Sequence, residues 1–305
     1  MTTRLQRGLP TLALLGVTAS WGSTFFLIKD LLAEISVVDF LALRFAIAGA
    51  VAFAIAHRSV FRLSRDDLRH AVILGLVYGC AQLLQTVGLS HTAASVSGFV
   101  TGMYVVATPI FSAVLFHEHI RATVWLAVAL STTGLGLLAL NGLSVSTGVG
   151  LIFAAAMLYA LHIVGLGQWS RSDNAVGLSV VQLMVIAALC LTVTAPDGMG
   201  TPDTAAGWTS LIYMALIPGA LALFAQTWAQ SQISATRTAI IMTMEPVWAA
   251  FFAVLFGGES LTPRMLMGGA LVLAAMYLVE LGPPIRPDPD TTGTQAAPAS
   301  PHLPL

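Results

Sequence analysis

Residues 37–56 read VVDFLALRFAIAGAVAFAIA, and only Asp39 and Arg44 carry a charge in this run. A helix of about 20 mostly apolar residues is long enough to cross the hydrocarbon core of a bilayer. Other runs of the same character bring the predicted spans to ten, at residues 11–32, 37–56, 71–90, 94–116, 122–140, 148–169, 175–195, 207–229, 235–256 and 263–281. The sequence therefore predicts an all-α integral membrane protein with ten transmembrane helices.

The composition of the whole chain agrees with this prediction. Of the 305 residues, 57% are apolar and 9% are charged, whereas soluble domains have roughly 45–50% and 25%. The formal net charge is -1, so the chain has no general basic field that would hold nucleic acid. Only short connections separate the apolar runs, and no GxxxxGK[ST] motif occurs. We therefore expect neither a nucleotide-binding domain nor direct use of ATP.

The distribution of basic residues predicts the orientation of the chain. Cytoplasmic segments of membrane proteins carry an excess of Lys and Arg. With the N-terminus inside, ten of the thirteen basic residues fall on the cytoplasmic side: Arg4, Arg7, Arg58, Arg62, Arg65, Arg69, Arg121, Arg171, Arg237 and Arg286. We therefore expect a multi-pass protein of the cell (plasma) membrane with both termini in the cytoplasm.

The two halves of the chain resemble each other. At an offset of about 141 residues, Gln85 matches Gln226 and Glu118 matches Glu259. Amides and acids are scarce in apolar spans, so these matches carry more weight than matched leucines. Each half has five predicted spans, an odd number, so the second half enters the membrane from the opposite side, as in many secondary transporters. We predict a first repeat at 1–142, a second at 143–281 and a disordered tail at 282–305.

Short motifs in four of the predicted spans resemble those of a known family. The first span carries WGST at residues 21–24, and the second carries Arg44. The fourth span has TGMYVV at 101–106, the ninth has MEPVWAA at 244–250, and acidic residues follow both. These motifs are similar to those of the drug/metabolite transporter (DMT) superfamily, EamA-type. The resemblance covers nearly the whole chain apart from the tail, and it implies a ten-helix exporter of small metabolites.

Two ionisable residues within spans are candidate proton carriers. Glu245 lies about ten residues into the ninth span, where an ionised carboxylate is costly unless it faces a partner or water. It either lines a cavity, pairing with a substrate ammonium or carrying a proton, or it fixes the helix before Pro246. His162, in the sixth span, either titrates in the same cavity or is a packed, hydrogen-bonded histidine.

Further polar side chains are candidates for the same substrate cavity. Arg44 either takes part in function or forms a structural ion pair. Gln82 and Gln85 lie three residues apart, and Gln226 matches Gln85, so these amides either line a substrate path or join helices by hydrogen bonds. Aromatic side chains with a polar end either enclose an organic substrate or fill space in the bundle, and they are Trp21, Tyr78, Tyr104, Tyr159 and Trp248.

The sequence indicates neither metal nor enzyme chemistry. His117 and His119 fall on different faces of a helix with no third ligand near, so zinc is not expected. No HExxH or GxSxG motif occurs, and we expect no cofactor.

The sequence favours a secondary transporter that exports small organic metabolites, either amino acids or related amphiphiles, or drugs, by alternating access of the two halves. The alternatives are an integral membrane enzyme acting on lipid-linked groups and a passive channel, although the acids are scattered singly and rings of like polar residues are absent. The expected partners are a small-molecule substrate and the lipid bilayer, with no nucleic acid, and the protein is either a monomer or a homodimer.

Overall fold

The computed structural model describes residues 4–92, 94–117, 120–139, 147–194, 199–256 and 262–280. Within these ranges the chain is helical and has no β-strand. Its α-helices are α1 (Arg4–Gly22), α2 (Thr24–Leu31), α3 (Val37–Val60), α4 (Arg65–Ser90), α5 (Ala94–Gly102), α6 (Tyr104–Phe116), α7 (Ala122–Ala139), α8 (Thr147–Trp169), α9 (Ala175–Thr194), α10 (Ala205–Ala215), α11 (Ala222–Gln230), α12 (Ala235–Met242), α13 (Glu245–Phe256) and α14 (Pro263–Glu280). The predicted tail and the matched acids Glu118 and Glu259 lie outside the described residues.

Several of these helices are suited to a bilayer. Among the described residues, six helical stretches are long and apolar enough to cross it: Val37–Val60, Arg65–Ser90, Thr147–Trp169, Ala175–Thr194, Ala205–Gln230 and Ala235–Phe256. Shorter apolar helices occur at Val100–Phe116, Ala122–Leu137 and Leu266–Leu278. The prediction of an all-α protein with several membrane-spanning helices is therefore confirmed.

Three of the predicted spans contain a break near the middle. Span 11–32 is divided between α1 and α2, span 94–116 between α5 and α6, and span 235–256 between α12 and α13. In the last case Pro246 contributes, because it has no N–H to donate to the carbonyl of Met242, where α12 ends. Apolar composition predicts each span as one helix, since the segments on both sides of a break are equally apolar.

The eighth predicted span is continuous but changes its hydrogen-bond register at a π-helical segment, Leu216–Leu221. Pro218 lies within this segment and lacks the N–H that an α-helix would direct at the carbonyl of Met214. The N–H of Ala222 bonds the carbonyls of Ile217 and Gly219 rather than that of Pro218. π-Helical turns inside α-helices are frequent at functional sites.

Side-chain caps fix where the long helices begin. Ser36 accepts a hydrogen bond from the N–H of Asp39 at the start of α3. Ser64 and Asp67 form a capping box at the start of α4, in which the side chain of each residue accepts a hydrogen bond from the backbone N–H of the other. These polar residues lie at the N-terminal ends of α3 and α4, where they satisfy backbone N–H groups of the first turn.

Helices from the first and second halves of the chain pack directly on each other. Helix α3 packs along α9, α4 packs along α8 and α9, and α7 packs along α14. Gly75 and Gly79 allow α4 to approach α9 closely, because a Cβ on Gly75 would lie 2.8 Å from the Cβ of Val185 and one on Gly79 would lie 2.9 Å from Leu189. The hydrophobic core is therefore shared between the halves.

Polar contacts between the halves lie at both ends of the α3–α4 hairpin. At the start of α4, the Asp67 carboxylate accepts from Nδ2 of Asn174 at 2.8 Å and from Nη2 of Arg171 at 3.3 Å. The hydrogen bond to Asp67 raises the pKa of Arg171, which lies in the α8–α9 loop. At the opposite end, the hydroxyl of Thr204 donates to Glu34 at 2.9 Å.

Candidate functional site

A cavity lies inside the bundle between helices from both halves of the chain. Its empty space is about 680 Å³, a volume that includes the part open to solvent. Helices α1 to α6, α8 and α11 to α13 each contribute to its wall. The lining residues are Trp21, Thr24, Ile28, Arg44, Tyr78, Gln82, Gln85, Thr86, Leu89, Thr101, Tyr104, Tyr159, His162, Ile163, Gln226, Met242 and Glu245.

Helix α4 lines one wall with a stripe of side chains at helical spacing. Tyr78, Gln82, Gln85 and Leu89 follow one another at intervals of three or four residues, which places them on one face. Nε2 of Gln82 donates to the hydroxyl of Tyr78 at 2.9 Å. The stripe gives this wall an aromatic ring, two amides and an aliphatic side chain.

Gln85 joins three helices at the cavity wall. The hydroxyl of Tyr159 on α8 donates to Oε1 of Gln85 at 2.6 Å, and Nε2 of Gln85 donates to the hydroxyl of Thr101 on α5 at 3.0 Å. Both polar atoms of this amide are therefore satisfied by neighbouring helices. Gln85 lines the cavity and also connects the helices that form it.

His162 is held in one orientation by α4 and α9. Its ring stacks on Tyr78 with 4.7 Å between centroids, and its Nε2 lies 2.7 Å from Oε1 of Gln182. Because Nε2 of Gln182 donates to the carbonyl of Leu178, its oxygen is the acceptor and Nε2 of His162 is the donor. The other ring nitrogen, Nδ1, is then the proton acceptor of a neutral imidazole.

Glu245 begins α13 and is only 9% exposed. Within the described part of the chain, no residue bonds its carboxylate or forms an ion pair with it. Gly22 lets α1 pack against the same turn, since a Cβ there would lie 2.9 Å from the carbonyl oxygen of Glu245 and 2.7 Å from the Cβ of Trp248. The break between α1 and α2 therefore packs against the first turn of α13.

Arg44 is almost fully buried on α3. Its Nε donates to the carbonyl of Met214 at 3.1 Å, and its guanidinium lies over the rings of Phe40 and Phe45 at 5.8 and 5.2 Å. Among the described residues no carboxylate lies within 4 Å of it, so the structural ion pair considered for Arg44 is not formed there. A backbone carbonyl, and not an acid, holds this side chain.

Two lining side chains carry buried polar atoms without a hydrogen-bond partner in the described structure. These atoms are the hydroxyl of Tyr104 and Oε1 of Gln226. Nε2 of Gln226, by contrast, donates to Oε1 of Gln230 at 3.1 Å. An unsatisfied buried polar atom costs about 1–3 kcal/mol, so both atoms favour a polar guest in the cavity.

Every residue proposed for the cavity from the sequence lines it except Trp248. Trp248 packs its ring against Phe251 and Phe252 of its own helix, and its Cβ faces Gly22. Trp248 lies one turn after Glu245, but its Cβ packs against α1 at Gly22 and its ring is directed along α13 to Phe251 and Phe252. Which of the lining residues contact substrate stays a prediction.

The structure also brings residues to the site that the sequence did not single out. They are Thr24, Ile28, Thr86, Leu89, Thr101, Ile163 and Met242, together with Gln182 behind His162. A signal existed for Thr24 and Ile28, which follow Trp21 at intervals of three and seven residues on one helical face. Gln182 had no such signal, because only the folded structure shows that its side chain reaches His162.

No metal site is formed in the ranges that the structure covers. No three His, Cys, Asp or Glu side chains meet there in a ligand-like group. The chemistry available to the cavity is therefore that of one carboxylate, one guanidinium, one imidazole, amides and phenolic hydroxyls.

Comparison with known proteins gives consistent results. The EamA-like transporter family matches the chain twice, at residues 9–140 and 146–281. An uncharacterized transporter from Archaeoglobus fulgidus is 30% identical over 270 residues, which cover 87% of this chain and 83% of that protein. A solved crystal structure with 17% identity has a TM-score of 0.76 and covers 89% of this chain and 96% of that one. At 17% identity, this similarity shows only that the two proteins share a fold.

Proposed function

The chain belongs to the EamA-like transporter family, and from this premise we propose that it is a secondary transporter that exports small organic metabolites. Amino acids or related amphiphiles are the main candidates, and drugs are a further class. The observation that carries the proposal is Glu245, a buried carboxylate without a partner in the described structure, in a cavity that both halves line. Such a group accommodates either a substrate ammonium or a proton.

The proposed architecture is ten transmembrane helices in two five-helix repeats of inverted topology, at 1–142 and 143–281. The two family matches support it, since each covers about one repeat. The breaks support it too, because the offset of about 141 residues carries Met103, between α5 and α6, onto Met244, between α12 and α13. Packing has the same symmetry: α4 of the first repeat packs on α8 of the second, and the corresponding α11 of the second repeat packs on α1 of the first.

Alternating access follows naturally from this arrangement. The cavity is lined from both repeats, and in inverted-repeat transporters one half rocks against the other around such a site. The Asp67 and Glu34 contacts join the halves at opposite ends of the α3–α4 hairpin. We propose that each contact opens when the cavity faces its side, in a plasma membrane with both termini in the cytoplasm.

Glu245 and His162 remain the proposed proton carriers, and they are separable by experiment. If transport is coupled to protons through Glu245, Glu245→Gln abolishes the pH dependence of the rate, whereas His162→Gln leaves it in place. The reverse pattern assigns the role to His162. Retention of the full pH dependence in Glu245→Gln removes Glu245 from this role.

A comparison of exported compounds tests the function. Cells expressing wild type, Glu245→Gln or Asp66→Asn at equal membrane levels are analysed for small molecules in the medium and inside the cell. Asp66→Asn is the matched control, since it neutralises an exposed acid paired with Arg69 outside the cavity. We expect one class of compounds to accumulate outside with wild type and the control only. A change in lipid composition without any change in the medium would favour a membrane enzyme instead.

A further inference from the structure

We propose that Arg44 is the binding residue for a carboxylate of the transported molecule, positioned for this task by the π-helical segment of the opposite half. The inference rests on the proposed function and narrows its substrates to molecules that bear this group. It follows from the single backbone carbonyl that Arg44 bonds and from the absence of any acidic partner for its guanidinium among the described residues.

The position of Arg44 is fixed by an unusual acceptor. Pro218 cannot donate to the carbonyl of Met214, and Nε of Arg44 donates to that carbonyl at 3.1 Å. The carbonyl of Pro218, which the N–H of Ala222 does not bond, accepts the indole N–H of Trp21 at 2.8 Å. Two cavity side chains of the first half are therefore anchored on carbonyls in and beside one π-helical segment of the second.

Anchoring through Nε leaves the rest of the guanidinium for a ligand. The structure gives Arg44 no other hydrogen bond and no ion pair within the described residues, although it is 4% exposed. The rings of Phe40 and Phe45 pack on it but accept no conventional hydrogen bond. Arg44 lines the cavity with Nη donors that have no hydrogen-bond partner among the described residues. A carboxylate is the planar acceptor that matches a guanidinium in a bidentate pair.

The cavity also contains the carboxyl group of Glu245, which has no bonding partner among the described residues. Arg44 and Glu245 both line it, yet no ion pair joins them. A guest with a carboxylate for Arg44 and an ammonium for Glu245 compensates both charges at once, whereas a simple amine leaves Arg44 uncompensated.

A matched set of compounds tests this assignment. Purified protein is reconstituted into vesicles loaded with the standard amino acids, their carboxamides and the amines that lack the carboxylate, and compounds released are measured by mass spectrometry. We expect wild type and Asp66→Asn to release the acids at least about tenfold faster than the carboxamides and the amines. Arg44→Gln loses this preference, and Arg44→Lys, which keeps the charge but not the fork, retains part of it.

The outcomes separate this inference from the proposed function. Equal release of acids and carboxamides by wild type overturns the role of Arg44. This result needs no variant, so the test remains valid even if the Arg44 variants do not fold. An intact preference in Arg44→Gln overturns it as well. If wild type releases none of these compounds but exports molecules without a carboxylate from cells, the Arg44 assignment is wrong and the transporter proposal survives. If neither assay detects any export, both are wrong.

Discussion

At the scale of single residues, the site depends on one glycine that carries no chemistry. Gly22 lets the α1–α2 break rest on the turn that begins with Glu245, because a Cβ at this position would meet backbone atoms: the amide nitrogen of Ala249 at 2.8 Å and the carbonyl oxygen of Glu245 at 2.9 Å. Backbone cannot move aside as the end of a flexible side chain can. The WGST motif therefore has a packing reason at its second position.

We predict that Gly22→Ala lowers stability by about 1–3 kcal/mol, through overpacking against α13. The measurement is the thermal unfolding midpoint of purified protein in detergent. Gly16→Ala on the same helix is the control, since nothing lies within 4 Å of its Cβ position, and it is expected to be neutral or slightly stabilising. Equal midpoints for the two variants would show that α1 and α13 are not packed as described.

Trp248 gives a second prediction at this scale. Its ring packs on Phe251 and Phe252 and lies outside the cavity lining, so Trp248→Phe is expected to keep the substrate preference of wild type. Tyr104→Phe, on the equivalent turn of α6, removes a lining hydroxyl and is expected to change it. The check is the relative release of compounds from loaded vesicles, and a shift with Trp248→Phe alone contradicts the described orientation.

The same residues show how far the sequence leads. Polar and aromatic side chains in apolar spans are rare enough to identify individually, so Glu245, Arg44, Tyr78 and Tyr159 could be proposed for a cavity in advance. The contacts that hold these side chains could not be predicted. Arg44, for example, bonds a carbonyl that is made available by a proline 174 positions away in sequence. The position of Trp248 outside the cavity lining could not be predicted either, because composition does not reveal which face of α13 turns inward.

At the scale of elements, the breaks and the π-helical segment separate the structure from its sequence prediction. Apolar runs define where a helix can span the bilayer, and the resulting boundaries agree with the long helices to within a few residues at most ends. They do not define where a helix stops within the bilayer, because that depends on which backbone groups find other partners. Pro218 and Pro246 are the visible clues, and each changes the backbone by removing an N–H.

A prediction at this scale concerns the start of α4. Asp67→Asn removes the charge that binds Arg171 and alters the bond from Nδ2 of Asn174, so the α8–α9 loop is held less firmly. We expect a loss of about 1–3 kcal/mol, which is the cost when a buried polar group, here the amide of Asn174, loses its hydrogen-bond acceptor. Asp66→Asn, one residue earlier but exposed, is expected to be nearly neutral. The measurement is the thermal unfolding midpoint of both variants. An unchanged midpoint for Asp67→Asn would show that the contacts of Asp67 with Arg171 and Asn174 do not stabilise the protein.

At the scale of the whole molecule, the charge distribution and the α3–α4 hairpin predict a topology. The α3–α4 loop carries Phe61, which is 78% exposed, and the segment before α10 carries the exposed Asp203. In a variant without Cys80 and Cys190, a membrane-impermeant maleimide added to intact cells is expected to label Asp203→Cys but not Phe61→Cys. Permeabilised cells should label both, and the reverse pattern in intact cells would invert the proposed orientation.

The family match confirms the resemblance to EamA-type transporters that the motifs in four spans indicate. Membership establishes a membrane transporter. We propose that the cavity selects the substrate, since Glu245 and Arg44 line it and form no ion pair among the described residues. The central claim is that this cavity binds the transported molecule through Glu245.

The most direct test is release from vesicles that contain only purified protein and a loaded extract of host-cell metabolites. Wild type and Asp66→Asn are expected to release the same defined set of small molecules, and Glu245→Gln is expected to release it at least about tenfold more slowly. Equal release by Glu245→Gln, with all three proteins inserted in equal amounts, would contradict the claim.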